Sequence, residues 1–239
     1  MIIIPARIGS SRFPNKILAD VDGIPMVVRT ALRAKDVDKV CVATDSNEVI
    51  AICKSFEINA ILTSINHNSG TDRIYEAAKK LQLKDTTLII NVQADEPFLE
   101  QEIIQTVHAL TKENVNNPNI LINSCYKEID SSHADDPNIV KVVTDKNDMA
   151  LYFSRSKIPY SRDHFLDQYK AHIGIYGFTM QSLHLFANIP NVALEDIEKL
   201  EQLRALFAGY KIAMKKVETN SFGIDTPDDL ERALKLHRL

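Results

Sequence analysis

Glycine is scarce in this sequence. The 239 residues include seven glycines, well under the typical share of about 7%. A glycine beside a polar cluster is therefore read as serving an unusual backbone angle or a close approach. Gly9, Gly70, Gly174, Gly177 and Gly223 fall beside such clusters, while Gly23 and Gly209 read as turn and helix-end residues. Cysteine is sparse as well. Cys41, Cys53 and Cys125 are far apart and show no CxxC spacing, which predicts buried thiols in a reducing compartment rather than a metal site or disulfide framework. No apolar run approaches the ~20 residues needed to cross a bilayer. The chain enters its first strand directly, which leaves no room for a signal peptide, so no membrane association and a cytoplasmic location are expected. A basic excess is also missing: the formal net charge is −4, which argues against general nucleic-acid binding. Neither the GxxxxGK phosphate loop nor the GxGxxG dinucleotide fingerprint occurs, which argues against ATPases and dehydrogenases.

What is present is an ordinary globular composition, 45% apolar and 25% charged, with strands and helices in alternation. Ile2–Ile4 is a short β-branched run bounded by Pro5, and reads as a buried strand. Asp22-Gly23 marks a hairpin-like turn. The spacing predicts a helix over 26–35, a strand over 39–43, and a helix over 48–56 capped by Ser46. A strand over 58–62, a helix from Thr71 to about Leu81, a strand over 87–92 and a helix over 100–112 follow. This is βαβ alternation, hence a parallel sheet with helices on both faces. Strands predicted over 119–126, 138–144, 150–154 and 171–179 are joined by loops, which suggests antiparallel pairing. Helices over 180–188 and 196–207, a strand over 211–217 and a last helix capped by Thr226 complete the chain. The fold class expected is α/β: Rossmann-like and doubly wound, with a mostly parallel mixed sheet. One domain over 1–239 carries a smaller lobe at about 120–190.

In such sheets ligands bind at the carboxyl ends of the strands, where residues 5–16, 44–45, 69–73 and 93–96 are expected. The first of these, PARIGSSRFPNK, holds three cations, Arg7, Arg12 and Lys16, with Gly9, Ser10 and Ser11 between them. Backbone N–H groups and cations of this kind converge on a polyanion such as a phosphate chain; read alone, the same loop is equally a solvated turn. Asp95 and Glu96 follow an apolar strand, where a carboxylate suits magnesium together with substrate phosphates. Asp225 is the best second carboxylate, although by itself it reads equally well as a residue opening a helix. A basic loop, metal carboxylates and a nucleotide-type sheet suggest nucleotidyl transfer.

PARIGSSRFPNK, VATD (42–45), SGTDR (69–73), NVQADEP (91–97), DPNIVKVV (136–143), ALYFSRSKIPYSR (150–162), HIGIYGF (172–178), LEQLRAL (200–206) and GIDTPDDL (223–230) occur in this order. Over essentially the whole chain this resembles the CMP-Kdo synthetases, the 3-deoxy-manno-octulosonate cytidylyltransferases of lipopolysaccharide biosynthesis. The family's fold is that of the nucleotide-diphospho-sugar transferases. Ala94 replaces the family's usual glycine, and Asn15 stands where its loop usually reads PGK; the PNK form is similar to CMP-sialic acid synthetases. The resemblance implies that Arg7, Lys16 and Asp95 are catalytic. It places Arg7, Arg12, Lys16, Ser69, Arg73 and Gln93 around CTP and the bound substrates. It implies magnesium on Asp95 and Asp225, and Arg155, Arg162, His172, Tyr176, Glu201 and Gln202 around the sugar, Kdo. A homodimer formed through the second lobe is implied too. Two rivals remain at this stage: transfer to another acidic sugar, and a non-catalytic nucleotide-sugar sensor.

Overall fold

The computed structural model describes residues 1–10, 12–67, 69–163 and 166–237; Ser11 of the basic loop and Asn68 before SGTDR lie outside them. The chain divides into two compact units. One comprises Met1–Gln105 and Asn220–Leu239, the other Thr106–Thr219.

The first unit opens with β1 (Ile2–Ala6), buried along its whole length. Three isoleucines in a row satisfy a strand covered on both faces. After the basic loop, β2 (Asp20–Val21) and β3 (Ile24–Pro25) form a small ribbon. Its turn residues Asp22 and Gly23 have φ of 54° and 81°, as a two-residue hairpin turn requires. Then come α1 (Met26–Lys35), β4 (Val40–Thr44), α2 (Asn47–Ser55), β5 (Asn59–Leu62), α3 (Gly70–Lys80), β6 (Leu88–Asn91) and α4 (Gln101–Glu113), the last continuing into the second unit. Ser46 caps α2 by accepting from the Val49 N–H, and Ser69 caps α3 by accepting from the Asp72 N–H. β1 pairs in parallel with β4, Ile2 beside Val40 through Ala6 beside Thr44. It also pairs in parallel with β6, and β4 with β5. Four parallel strands therefore end at one edge, and the loops that carry VATD, SGTDR, NVQADEP and the cations all leave from it.

In the second unit β7 (Ile120–Asp130), β8 (Lys141–Thr144), β9 (Ala150–Ser154) and β10 (Gln168–Thr179) precede three helices, α5 (Met180–Ala187), α6 (Ala193–Glu198) and α7 (Leu203–Phe207), and the strand β11 (Lys211–Lys216). β7 lies between β10, antiparallel, and β11, parallel; β8 pairs antiparallel with both β9 and β10. Parallel and antiparallel pairing together make the architecture mixed α/β. The helix expected over 196–207 is two short ones. Lys199 sits at φ 53° after Glu198, a left-handed position that ends α6 before α7 begins. Gly177 lets α4 approach the sheet of this unit: a Cβ there would stand 1.9 Å from Thr111 Oγ1.

The chain then returns to the first unit with α8 (Pro227–His237). Thr226 Oγ1 accepts from the Asp229 N–H, and the Asp229 carboxylate accepts from the Thr226 N–H. This reciprocal cap fixes the entry to the helix. Ile224, Phe98, Met26, Val21 and Ala233 form a buried apolar cluster there, with Phe13 and Phe222 packed on it. No helix among the described residues is long and apolar enough to cross a membrane.

Candidate active site

The first unit assembles its site by backbone ties rather than by side chains alone. Ile224 is wholly buried, and its N–H donates to the Asp95 carbonyl at 2.9 Å. Held between Ile224 and the capped Thr226, Asp225 is presented beside Asp95. Lys16 completes the arrangement. It lies in a single helical turn after Asn15, with φ 53° at Asn15, where an asparagine tolerates the left-handed backbone that glycine adopts freely. The Lys16 ammonium donates to Asp95 at 2.5 Å and to Asp225 at 3.0 Å, and Arg12 meets the other oxygen of Asp225 at 3.0 Å. Burial pulls the Lys16 pKa down, but the two carboxylates outweigh it and hold it above the ordinary lysine value. Burial likewise pushes Asp225 up, and Lys16 followed by Arg12 brings it below the ordinary carboxylate value. Two carboxylates thus converge on one cation, with a second cation at the rim. Arg7 is exposed on the same loop.

Ala94 is buried and not among the described residues with positive φ. Its methyl therefore introduces no backbone strain where the family carries glycine. Its carbonyl accepts from Thr30 Oγ1 at 3.0 Å, which steadies the segment leading to Asp95.

Arg73 is turned inward and is 2% exposed. Its guanidinium donates to Asp45 at 2.9 Å, to Thr63 Oγ1 at 2.7 Å and to the Ser64 carbonyl at 3.2 Å. Asp45 in turn accepts from the Ile8 N–H at 3.0 Å. A buried ion pair so anchors the beginning of the basic loop. Ser69 serves as the cap of α3, and Gln93 donates to Asn91 Oδ1 at 3.4 Å. The sequence places Asp45 at a strand end on the ligand edge, but its hold on the loop depends on strand pairing.

In the second unit, His172 and Tyr176 share one side of β10, with ring centroids 5.4 Å apart. Ser124 Oγ donates to the Ile175 carbonyl at 2.7 Å and lies 3.0 Å from His172 Nε2. The hydroxyl has one proton, so Nε2–H is the donor to Ser124 and Nδ1 is left as an acceptor. Burial lowers the His172 pKa to about 3, so the ring is neutral near pH 7. Burial, with Glu201 nearby, pushes the Tyr176 phenol up. Tyr176 O–H donates to Gln202 Oε1 at 3.4 Å, while the buried Gln202 Nε2 has no protein partner. Glu201 precedes it at the opening of α7. Arg204, a possible surface partner for Glu201 by spacing, is buried and bound to Glu195 instead. Arg155 is engaged by backbone carbonyls, Nε donating to Glu198 and Nη1 to Pro137. Arg162 is exposed, with Asp163 at 3.9 Å. Lys141 and Glu198 were not singled out in the sequence. A lysine on a strand and an acid in a charged helix normally face solvent, and nothing in the local pattern marks these two.

The family model for cytidylyltransferases matches residues 1–215. A 3-deoxy-manno-octulosonate cytidylyltransferase of Nitratiruptor sp. is 52% identical over 232 residues, covering 97% of this chain and 97% of the relative. One from Wolinella succinogenes is 52% identical over 240 residues, covering 99% and 98%. A solved CMP:2-keto-3-deoxy-manno-octonic acid synthetase complexed with CTP superposes with a TM-score of 0.91 at 37% identity, covering 98% of this chain and 96% of that one.

Proposed function

This chain belongs to the cytidylyltransferase family, and we infer that it transfers the CMP group of CTP to 3-deoxy-manno-octulosonate, releasing pyrophosphate and giving CMP-Kdo. The observation that carries the inference is the convergence of Lys16 and Arg12 on Asp95 and Asp225 at the carboxyl edge of a parallel sheet. It occurs in a chain similar over nearly its whole length to relatives named for that activity.

The anomeric hydroxyl of the sugar attacks the α-phosphorus in line. The new O–P bond forms as the bond to the β-phosphate oxygen breaks, and pyrophosphate leaves. Arg7, Arg12 and Lys16 meet the triphosphate and take up the charge that grows on the leaving group. Asp95 and Asp225 are two hard oxygen donors already gathered around one cation, the Lys16 ammonium. A carboxylate pair is the kind of protein donor set magnesium takes, its other ligands being substrate phosphates and water. Asp95 and Asp225 would hold such an ion, which when bound would supply charge screening at the phosphates and Lewis acidity toward the attacking hydroxyl. Ser69 and Gln93 lie on the nucleotide side. Arg73 acts on it through Asp45 and the loop backbone.

The sugar offers a carboxylate and many hydroxyls. His172 Nδ1, Tyr176, Glu201 and Gln202 supply the mixed donors and acceptors that hydroxyls need, and Arg155 and Arg162 supply positive charge for the carboxylate. The protein acts in the cytoplasm, as a homodimer formed through the second unit, and its product feeds lipopolysaccharide assembly.

The test is pyrophosphate release with CTP, Kdo and magnesium, beside sialic acid and sugar-free controls. Release with Kdo alone is expected, falling by about 10²–10³-fold in Asp95→Asn. Release only with another sugar would discard the acceptor. CTP binding without release in any mixture would favour a sensor.

A further inference from the structure

We propose that Glu198, to which the reaction gives no direct part, is a positioning residue for the sugar subsite; the proposal rests on the Kdo reading above. Glu198 ends α6. Its carboxylate accepts from Ser154 Oγ at 2.6 Å and from the Arg155 N–H at 2.9 Å, and its carbonyl accepts from Arg155 Nε at 2.7 Å. Three bonds thereby hold two consecutive residues at the end of β9. Before Ser154 stands Phe153, wholly buried, whose ring meets His172 edge-on with centroids 4.9 Å apart. His172 packs on Tyr176, and Tyr176 O–H reaches Gln202. Between Glu198 and Gln202 the chain turns at the left-handed Lys199.

The contacts therefore close a circuit: Glu198, Ser154, Phe153, His172, Tyr176, Gln202 and back along the chain. Glu198 is the polar tie between the end of β9 and the turn that carries Glu201 and Gln202. The Gln202 Nε2, buried and without a protein partner, sits in this circuit. The other side of the tie is braced. Lys141, wholly buried, donates its ammonium to the carbonyls of Asp136, Ile139 and Arg155, so Arg155 does not yield when Glu198 pulls on it. Both carboxylate oxygens of Glu198 accept, which a neutral amide of equal size does not reproduce. Glu198→Gln keeps the volume but removes one acceptor: with Oε1 on the Arg155 N–H, the amide nitrogen faces Ser154 Oγ, whose proton loses its carboxylate partner.

Steady-state kinetics with CTP and Kdo, together with unfolding midpoints, test the proposal on the full chain. Glu198→Gln is expected to raise KM for Kdo about tenfold while KM for CTP stays within about twofold. Ser154→Ala removes one of the three bonds and gives a smaller change in the same direction. It also carries the test alone if Glu198→Gln does not fold. A lower unfolding midpoint or kcat with both KM values unchanged would mean that Glu198 only supports the fold, and would overturn the proposal. A rise of both KM values in step would overturn it equally. A wild-type chain without Kdo-dependent turnover would instead overturn the functional reading, and the proposal with it.

Discussion

At the scale of single residues, His172 has a measurable signature. Its ordinary pKa of 6.5 is lowered to about 3 by burial in the folded chain. Below about pH 6.5 the unfolded chain binds a proton that the folded one refuses, so stability is full above that pH and falls as acid is added. The loss reaches about 1.4 kcal/mol per pH unit for one such group, and ends once pH drops through the folded value. Denaturant unfolding between about pH 7 and pH 4 should show this slope, and His172→Gln should flatten it. Single residues also show where the sequence was legible. Lys16, Asp95 and Asp225 were readable because each follows an apolar strand or precedes a capped helix, which places them at a sheet edge. Asn15 was readable only as a departure from the family's glycine; its left-handed backbone explains why an asparagine serves there. The inward turn of Arg73 was not legible, because its partners Asp45 and Thr63 reach it only through strand pairing.

At the scale of elements, the parallel strands and their capped helices follow the hydrophobic periods of the sequence closely. The break between α6 and α7 does not. Apolar residues at Ile197, Leu200 and Leu203 continue a helical spacing through it, and the left-handed Lys199 leaves no mark in residue type. Close packing is a second thing that pattern alone conceals. Gly177→Ala would place a methyl against Thr111 Oγ1 and Val107. Both are β-branched and have little freedom to give way. A loss of about 1–3 kcal/mol is expected in urea unfolding, recovered in part when Thr111 is also changed to Ala. Additive losses in the double variant would show that the clash is not where the destabilisation arises.

At the scale of the whole molecule, the chain holds two compact units, each with its own set of site residues. Under the proposed function, the groups assigned to the nucleotide belong to the first and those assigned to the sugar to the second. Arg162 is exposed, with Asp163 at 3.9 Å. With self-association through the second unit, sedimentation velocity should give twice the chain mass. A monomer at micromolar concentration would remove the dimer from the functional picture while leaving the chemistry of the first unit untouched.

The basic loop is tied down at its beginning by the Asp45–Ile8 bond and at its end by the burial of Lys16. Ordering a residue's backbone costs roughly 1–2 kcal/mol in lost conformational entropy. For the two ends of this loop that cost belongs to folding, not to ligand capture. Nucleotide affinity is then larger than the number of loop contacts alone implies, and cutting the Arg73–Asp45 tie weakens binding through entropy without removing any group that touches phosphate.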